Sequence, residues 1–234
     1  MPVLLDDCRL RRVVCELRYE NAYLIFDRTG QIIEEVREKF TKVELQEASP
    51  AITRVQTAEG YLVLELGQAR IVKDFPPLDL ALFANACKSF LLMGAERLNI
   101  PAFTRVGLRQ IFSKKVPEMK DAEKFITEYG LLNVPEAIRF GASDKLNEFV
   151  VRWQGSETGA TLRLKAEFSR LEVSLPGETE DEDLKLEREA NTLVIDVDYY
   201  TVARVNRDQW DPTAWIPQSG RIVRKEVDRF LQRS

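Results

Sequence analysis

The chain predicts an α+β fold in two topologically similar halves, and three patterns carry that prediction. Runs that alternate apolar and polar residues recur along the whole length, the period of half-buried strands. Other stretches place apolar residues at helical spacing. The order strand, helix, antiparallel strands, helix occurs in residues 1–100 and again in residues 101–234, which suits helices packed on one face of one or two antiparallel sheets. No residue-level repeat accompanies this order. The 234 residues are 44% hydrophobic and 31% charged, enough to bury a core as one compact unit.

In the first half, Arg9 to Tyr19 sets Val13, Cys15, Leu17 and Tyr19 against Arg12, Glu16 and Arg18, a strand with one buried face. A helix follows, with Asp27 or Thr29 as its cap and Ile32, Ile33, Val36 and Phe40 as its apolar stripe. Residues 52–57, 61–66 and 69–72 read as a meander, broken by Ala58-Glu59-Gly60 and Gly67-Gln68. Pro76 and Pro77 end it. Leu78 to Leu98 is then a helix, with Leu82, Phe83, Ala86, Phe90 and Met93 at helical intervals. Asp79, Asn85, Lys88 and Glu96 make it too polar for a membrane span.

In the second half, Phe103 to Phe112 is a strand and Asp121 to Tyr129 a short helix. Glu148–Gln154 and Ala160–Phe168 form a hairpin across Gly155 to Gly159. Leu171 to Leu175 and Thr192 to Val205 complete the strands, and Ile222, Val223, Val227, Phe230 and Leu231 make the last helix amphipathic. Residues 177–189 hold seven acids against Lys185 and Arg188, which reads as a solvated acidic loop. The doubled order resembles that of the TATA-binding-protein fold, although the charge is wrong for DNA.

Composition narrows the chemistry. The chain has no histidine, so histidine-based triads, metal sites and proton shuttles are excluded within it. Net charge of −4 argues against general affinity for nucleic acid or anionic membranes. Cys8, Cys15 and Cys87 show neither CxxC nor zinc spacing and read as reduced thiols, the latter two as core residues. The first dozen residues lack a signal-peptide core. Glycine-loop, nucleophile-elbow and zincin motifs do not occur, and no cofactor is expected.

Two constellations remain. Period two puts Arg105, Gly107 and Arg109 on one face of a strand, and two guanidinium forks beside a glycine can grip a carboxylate or phosphate. Asp196, Asp198 and Tyr200 share one face of a later strand. Asp196 and Asp198 are either structural partners of the two arginines or the start of a divalent-metal site, with Asp74 and Glu16 as candidate third ligands. The second constellation is Gln209 to Gln218, read as a non-helical link with two tryptophans and two prolines. It either plugs the core or presents a partner surface; we expect Trp215 buried and Trp210 more exposed.

The opening strand Val13-Val14-Cys15-Glu16-Leu17-Arg18-Tyr19, the strand Arg105-Val-Gly-Leu-Arg109 and the late strand Leu193-Val-Ile-Asp-Val-Asp198 together resemble a sporadically distributed, uncharacterised bacterial family of about this length. The resemblance implies a bacterial cytosolic protein and brings no catalytic residue or metal ligand with it. The expected function is binding of a protein partner or a small anionic ligand without catalysis. A divalent-metal hydrolase or nuclease centred on the paired carboxylates is the alternative.

Overall fold

The structure is a computed structural model that describes residues 3–49, 51–128, 148–175 and 184–232, with the backbone alone for 169–175 and 184–189. It is α+β, built on a large antiparallel sheet. The strands are β1 (Arg9–Arg18), β2 (Glu44–Ser49), β3 (Ile52–Gln56), β4 (Tyr61–Glu65), β5 (Gln68–Asp74), β6 (Ala102–Phe103), β7 (Arg105–Val116), β8 (Glu148–Gln154), β9 (Thr158–Leu175), β10 (Leu184–Thr201) and β11 (Val205–Asn206). Nine of them form one sheet in the order β2-β3-β4-β5-β1-β7-β10-β9-β8, while β6 and β11 pair separately. The helices are α1 (Ile25–Lys39), α2 (Ala81–Cys87), α3 (Met93–Arg97), α4 (Met119–Glu128) and α5 (Pro212–Leu231); a π-helical turn, Lys88–Leu92, joins α2 to α3.

Alternation in the central strands decides where the core lies. Val13, Cys15 and Leu17 of β1, Val106, Leu108 and Phe112 of β7, and Ile195 and Val197 of β10 are all buried. Onto these strands α5 packs against β7, β10 and α2, and α4 packs against β7, β9 and β10; α1 meets α3, and the π-helical turn meets β5. Burial raises the Cys8 thiol pKa to about 11. The fully buried Cys87 thiol, beside Cys15, is pushed well above its usual value by desolvation first and by that neighbour second. All three cysteines are free and buried. Among the described residues, no helix is long and apolar enough to cross a membrane.

Several expectations need correction. Helix α1 begins at Ile25, ahead of both expected caps, because Ile25 extends the buried stripe of Ile32 and Val36. Thr29 lies inside it, its hydroxyl donating to the Ile25 carbonyl at 2.6 Å. Strand β2 escaped the sequence reading, since Glu-Leu-Gln-Glu-Ala-Ser has no buried face and sits at the sheet's edge. Residues 184–189 of the expected acidic loop belong to β10, whose backbone pairs with β9 from Leu184↔Leu175 onward; residues 176–183 lie outside the described residues, as does Tyr129 beyond α4.

The Gln209–Gln218 stretch is largely helical. Pro212 occupies the first turn, where a missing N–H costs nothing, and the Asp211 carboxylate accepts from the Thr213 N–H at 3.0 Å. Pro217 lies within the helix, because the stripe Ile216, Ser219, Gly220, Val223, Val227 and Leu231 is buried continuously and outweighs one lost backbone bond. The tryptophans are reversed from expectation: Trp210 is 5% exposed, its ring 5.5 Å from that of Phe103, whereas Trp215 is only partly buried, stacked at 6.3 Å on Tyr199. Flanking Asp208 and Asp211 do not expose Trp210, because the chain turns there and both acids point to solvent.

Trp210→Ala is therefore expected to cost about 3–5 kcal/mol through lost transfer energy and the cavity left behind, and Trp215→Ala under about 2 kcal/mol. Urea unfolding of both variants checks the order, and a greater loss at Trp215 would overturn it.

Candidate anion-binding face

The side chains of β1, β7 and β10 that alternate with the core face the other way and meet across the sheet. Strand pairing aligns Arg70, Glu16, Gly107, Tyr200 and Gly159 in one row, and Val72, Val14, Arg109, Asp198 and Thr161 in the next. The two arginines and the two aspartates, about ninety residues apart in sequence, become lateral neighbours.

Arg105 is the hub. Its Nη1 donates to Glu16 Oε1 at 2.9 Å and its Nη2 to Asp198 Oδ2 at 2.6 Å, while its guanidinium carbon stands 4.6 Å from the centre of the Tyr200 ring. Gly107 makes this possible: a Cβ there would stand 3.0 Å from Arg105 Nη1. Gly159 seats the Tyr200 ring in the same way, since a Cβ at that position would fall 2.7 Å from ring carbons. Arg and Tyr thus form one slab resting on two glycines.

Arg109 holds Asp196 with both ends of its fork, Nε to Oδ1 at 2.8 Å and Nη2 to Oδ2 at 2.5 Å, and this pairing raises its own pKa further. Burial raises the Asp198 carboxyl above its ordinary value; the charge of Glu16 adds to that, and together they outweigh Arg105 and Arg109. Arg18 Nε donates to Glu16 at 2.7 Å, and Arg12 clasps Asp74 at 2.5 and 3.1 Å.

Above these groups lies an open concavity of about 620 Å³. Arg12, Arg18, Arg70, Arg105 and Arg109 line it, against the carboxylates Glu16, Asp74 and Asp198, with Gln56 and Tyr61 on the β3–β4 side. Two further carboxylates stand beside it, Asp196 on Arg109 and Glu65 on Arg70, so every guanidinium of the concavity has a carboxylate partner. Arg12, Arg18 and Arg109 remain about half exposed, so part of each guanidinium stays open to a ligand.

Sequence reasoning singled out Arg105, Arg109, Asp196, Asp198 and Tyr200, and all lie on this face. It placed Arg12, Glu16 and Arg18 on one side of β1 but could not know that β1 adjoins β7. Arg70, Gln56 and Tyr61 went unnoticed; the parity of β3 to β5 is their only signal. Trp210 and Trp215 lie elsewhere, beside Phe103 and Tyr199. No cluster of three or more His, Cys, Asp or Glu placed to hold a metal ion occurs among the described residues. Comparison of the sequence with protein-family models and with curated proteins gives no match.

Arg105→Ala should cost about 3 kcal/mol, because it leaves the part-buried Asp198 without its ion-pair partner and Glu16 with Arg18 alone. In a double-mutant cycle with Asp198→Ala, additive losses would remove the pairing. The raised Asp198 pKa also has a sign. Between the folded value and the unfolded value near 3.8 the native state binds the extra proton, so this group adds stability as the pH falls through that window and loses it as the pH rises. The stability of the native chain relative to Asp198→Asn should accordingly improve on acidification. Chemical denaturation across that range checks it, and a native chain that loses stability relative to Asp198→Asn on acidification would contradict the raised value.

Proposed function

We propose that this protein is a non-catalytic binding protein whose arginine-lined sheet face takes up a small anionic ligand. The observation that carries the reading is the set of half-open guanidiniums of Arg12, Arg18 and Arg109 around one concavity, each held in place by a carboxylate. Such pairing pre-orients the forks, so a ligand finds its donors already ordered. The alternative, a divalent-metal hydrolase on Asp196 and Asp198, has less support, since both carboxylates are committed to guanidiniums and Glu16 is shared by Arg18 and Arg105.

The same reading takes the chain as two similar halves, residues 1–100 and 101–234, with helices on one face. In favour, β1 and β7, the first strands that the two halves contribute to the nine-stranded sheet, are antiparallel neighbours. From each of them the order runs outward in reverse sequence, β5-β4-β3-β2 on one side and β10-β9-β8 on the other. Three buried thiols without a disulfide favour a reducing compartment, in line with the resemblance to bacterial cytosolic proteins.

Inorganic pyrophosphate and citrate at millimolar concentration are expected to raise the melting temperature above that in sodium chloride of equal ionic strength. Replacing Arg12 and Arg18 together by Ala, both part-exposed, should leave the protein folded and abolish the rise. A full rise retained in that double variant would dismiss this face as the site.

A further inference from the structure

The two edges of the nine-stranded sheet are built differently. Strand β2 closes one edge; its pairing with β3 shifts register between Leu45 and Glu47, and Glu44 and Glu47 put like charges along it. Bulges and like charges keep an open edge from pairing with another strand. Strand β8 closes the other edge, and it has no bulge, staying in register with β9 from Glu148↔Lys165 to Gln154↔Gly159. Its sequence, Glu-Phe-Val-Val-Arg-Trp-Gln, holds no proline, glycine or lysine, and its two charges are of opposite sign.

The direction of its backbone groups follows from the turn. The Gly155 N–H donates to the Thr158 carbonyl at 2.9 Å across the β8–β9 hairpin. Antiparallel ladders bond every second residue, so Phe149, Val151 and Trp153 turn their N–H and C=O groups toward β9, while Glu148, Val150, Arg152 and Gln154 turn theirs outward. Among the described residues, β9 is the only strand hydrogen-bonded to β8. A row of unpaired donors and acceptors is a template for one more strand.

The side chains select which strand fits. Val150 is 47% exposed and lies midway between Glu148 and Arg152, on the face opposite Phe149, which stacks on Phe230 of α5. Glu148 pairs with Arg163 at 2.9 Å, whereas Arg152 forms no ion pair with a described carboxylate. The order acid, apolar, base is its own complement when read antiparallel. With Val150 opposite Val150, Glu148 of each copy stands opposite Arg152 of the other, and Phe149 opposite Val151 on the helix-bearing side. Centring on Val151 loses the match, because Glu148 then meets Gln154 and Arg152 meets Val150.

We infer that this protein forms a symmetric homodimer in which β8 pairs antiparallel with β8 of a second copy about Val150, joining the two sheets into one. The pairs centred on Val150 and on each Glu148 with Arg152 are hydrogen-bonded ones that exchange two N–H···O bonds apiece, about six in all. Glu148 keeps Arg163 and gains Arg152. Contact limited to one short strand makes the association concentration-dependent rather than permanent. The arginine concavity lies over β1, β5 and β7, away from this edge, so the dimer stands or falls independently of the ligand reading above.

Sedimentation equilibrium of the whole protein tests the pairing. The weight-average mass should climb from 26.9 kDa toward twice that value between micromolar and several hundred micromolar protein. Val150→Pro removes an outward N–H but no ladder bond to β9, and should hold the protein at the monomer mass with its far-ultraviolet dichroism unchanged. Arg152→Glu sets acid against acid at both ends and should weaken the dimer about tenfold or more. Adding Glu148→Arg restores the complement, and Arg163, opposite Val150 and diagonal to both positions, still meets an acid; this double variant should regain dimerisation to within about threefold of the native chain. The charge exchange decides the matter should Val150→Pro unfold. The inference is overturned if the native chain stays at the monomer mass throughout, if folded Val150→Pro dimerises as tightly as the native chain, or if the double variant associates no better than Arg152→Glu alone.

Discussion

The antiparallel pairing of β1 with β7 is the constraint on which both faces of the molecule depend. It joins residues about ninety positions apart and sets Glu16 opposite Gly107 and Cys15 opposite Leu108. Because side chains alternate strictly, one register fixes both outcomes: Cys15, Leu17, Val106 and Leu108 turn to the core, while Glu16, Arg105 and Arg109 turn away from it. A slip of one residue would bury three charges and expose the apolar set. The large apolar area that register buries makes it secure, so the charged face inherits a geometry that its own interactions need not maintain.

The charged face is ordered by shape as much as by charge. Surface ion pairs contribute little, because long side chains lose freedom to hold them and water screens the attraction. Arg105 differs, with its side chain 17% exposed and hemmed in by Glu16, Asp198 and Tyr200. Gly107 and Gly159 lower the floor, so that the guanidinium and the ring lie flat instead of standing into solvent. The raised pKa of Asp198 shows the cost: burying two carboxylates around one guanidinium leaves the second incompletely compensated.

How much of this was legible in the sequence follows the range of the interactions. Period two within β1, β7 and β10 assigned Arg105, Arg109, Asp196, Asp198 and Tyr200 to shared faces, because alternation is a property of a single strand. Which strands adjoin is set by packing over the whole chain, so the contribution of Arg70 and Tyr61 was invisible. Strand β2 was missed for the opposite reason: as an edge strand it buries no face and leaves no alternation to read. The tryptophans misled because flanking charge was taken as a guide to exposure. Trp210 instead packs against Phe103 at a turn where the neighbouring acids are exposed, and the stretch Gln209–Gln218 with its two prolines was read as a non-helical link although a continuous buried stripe carries α5 through Pro217.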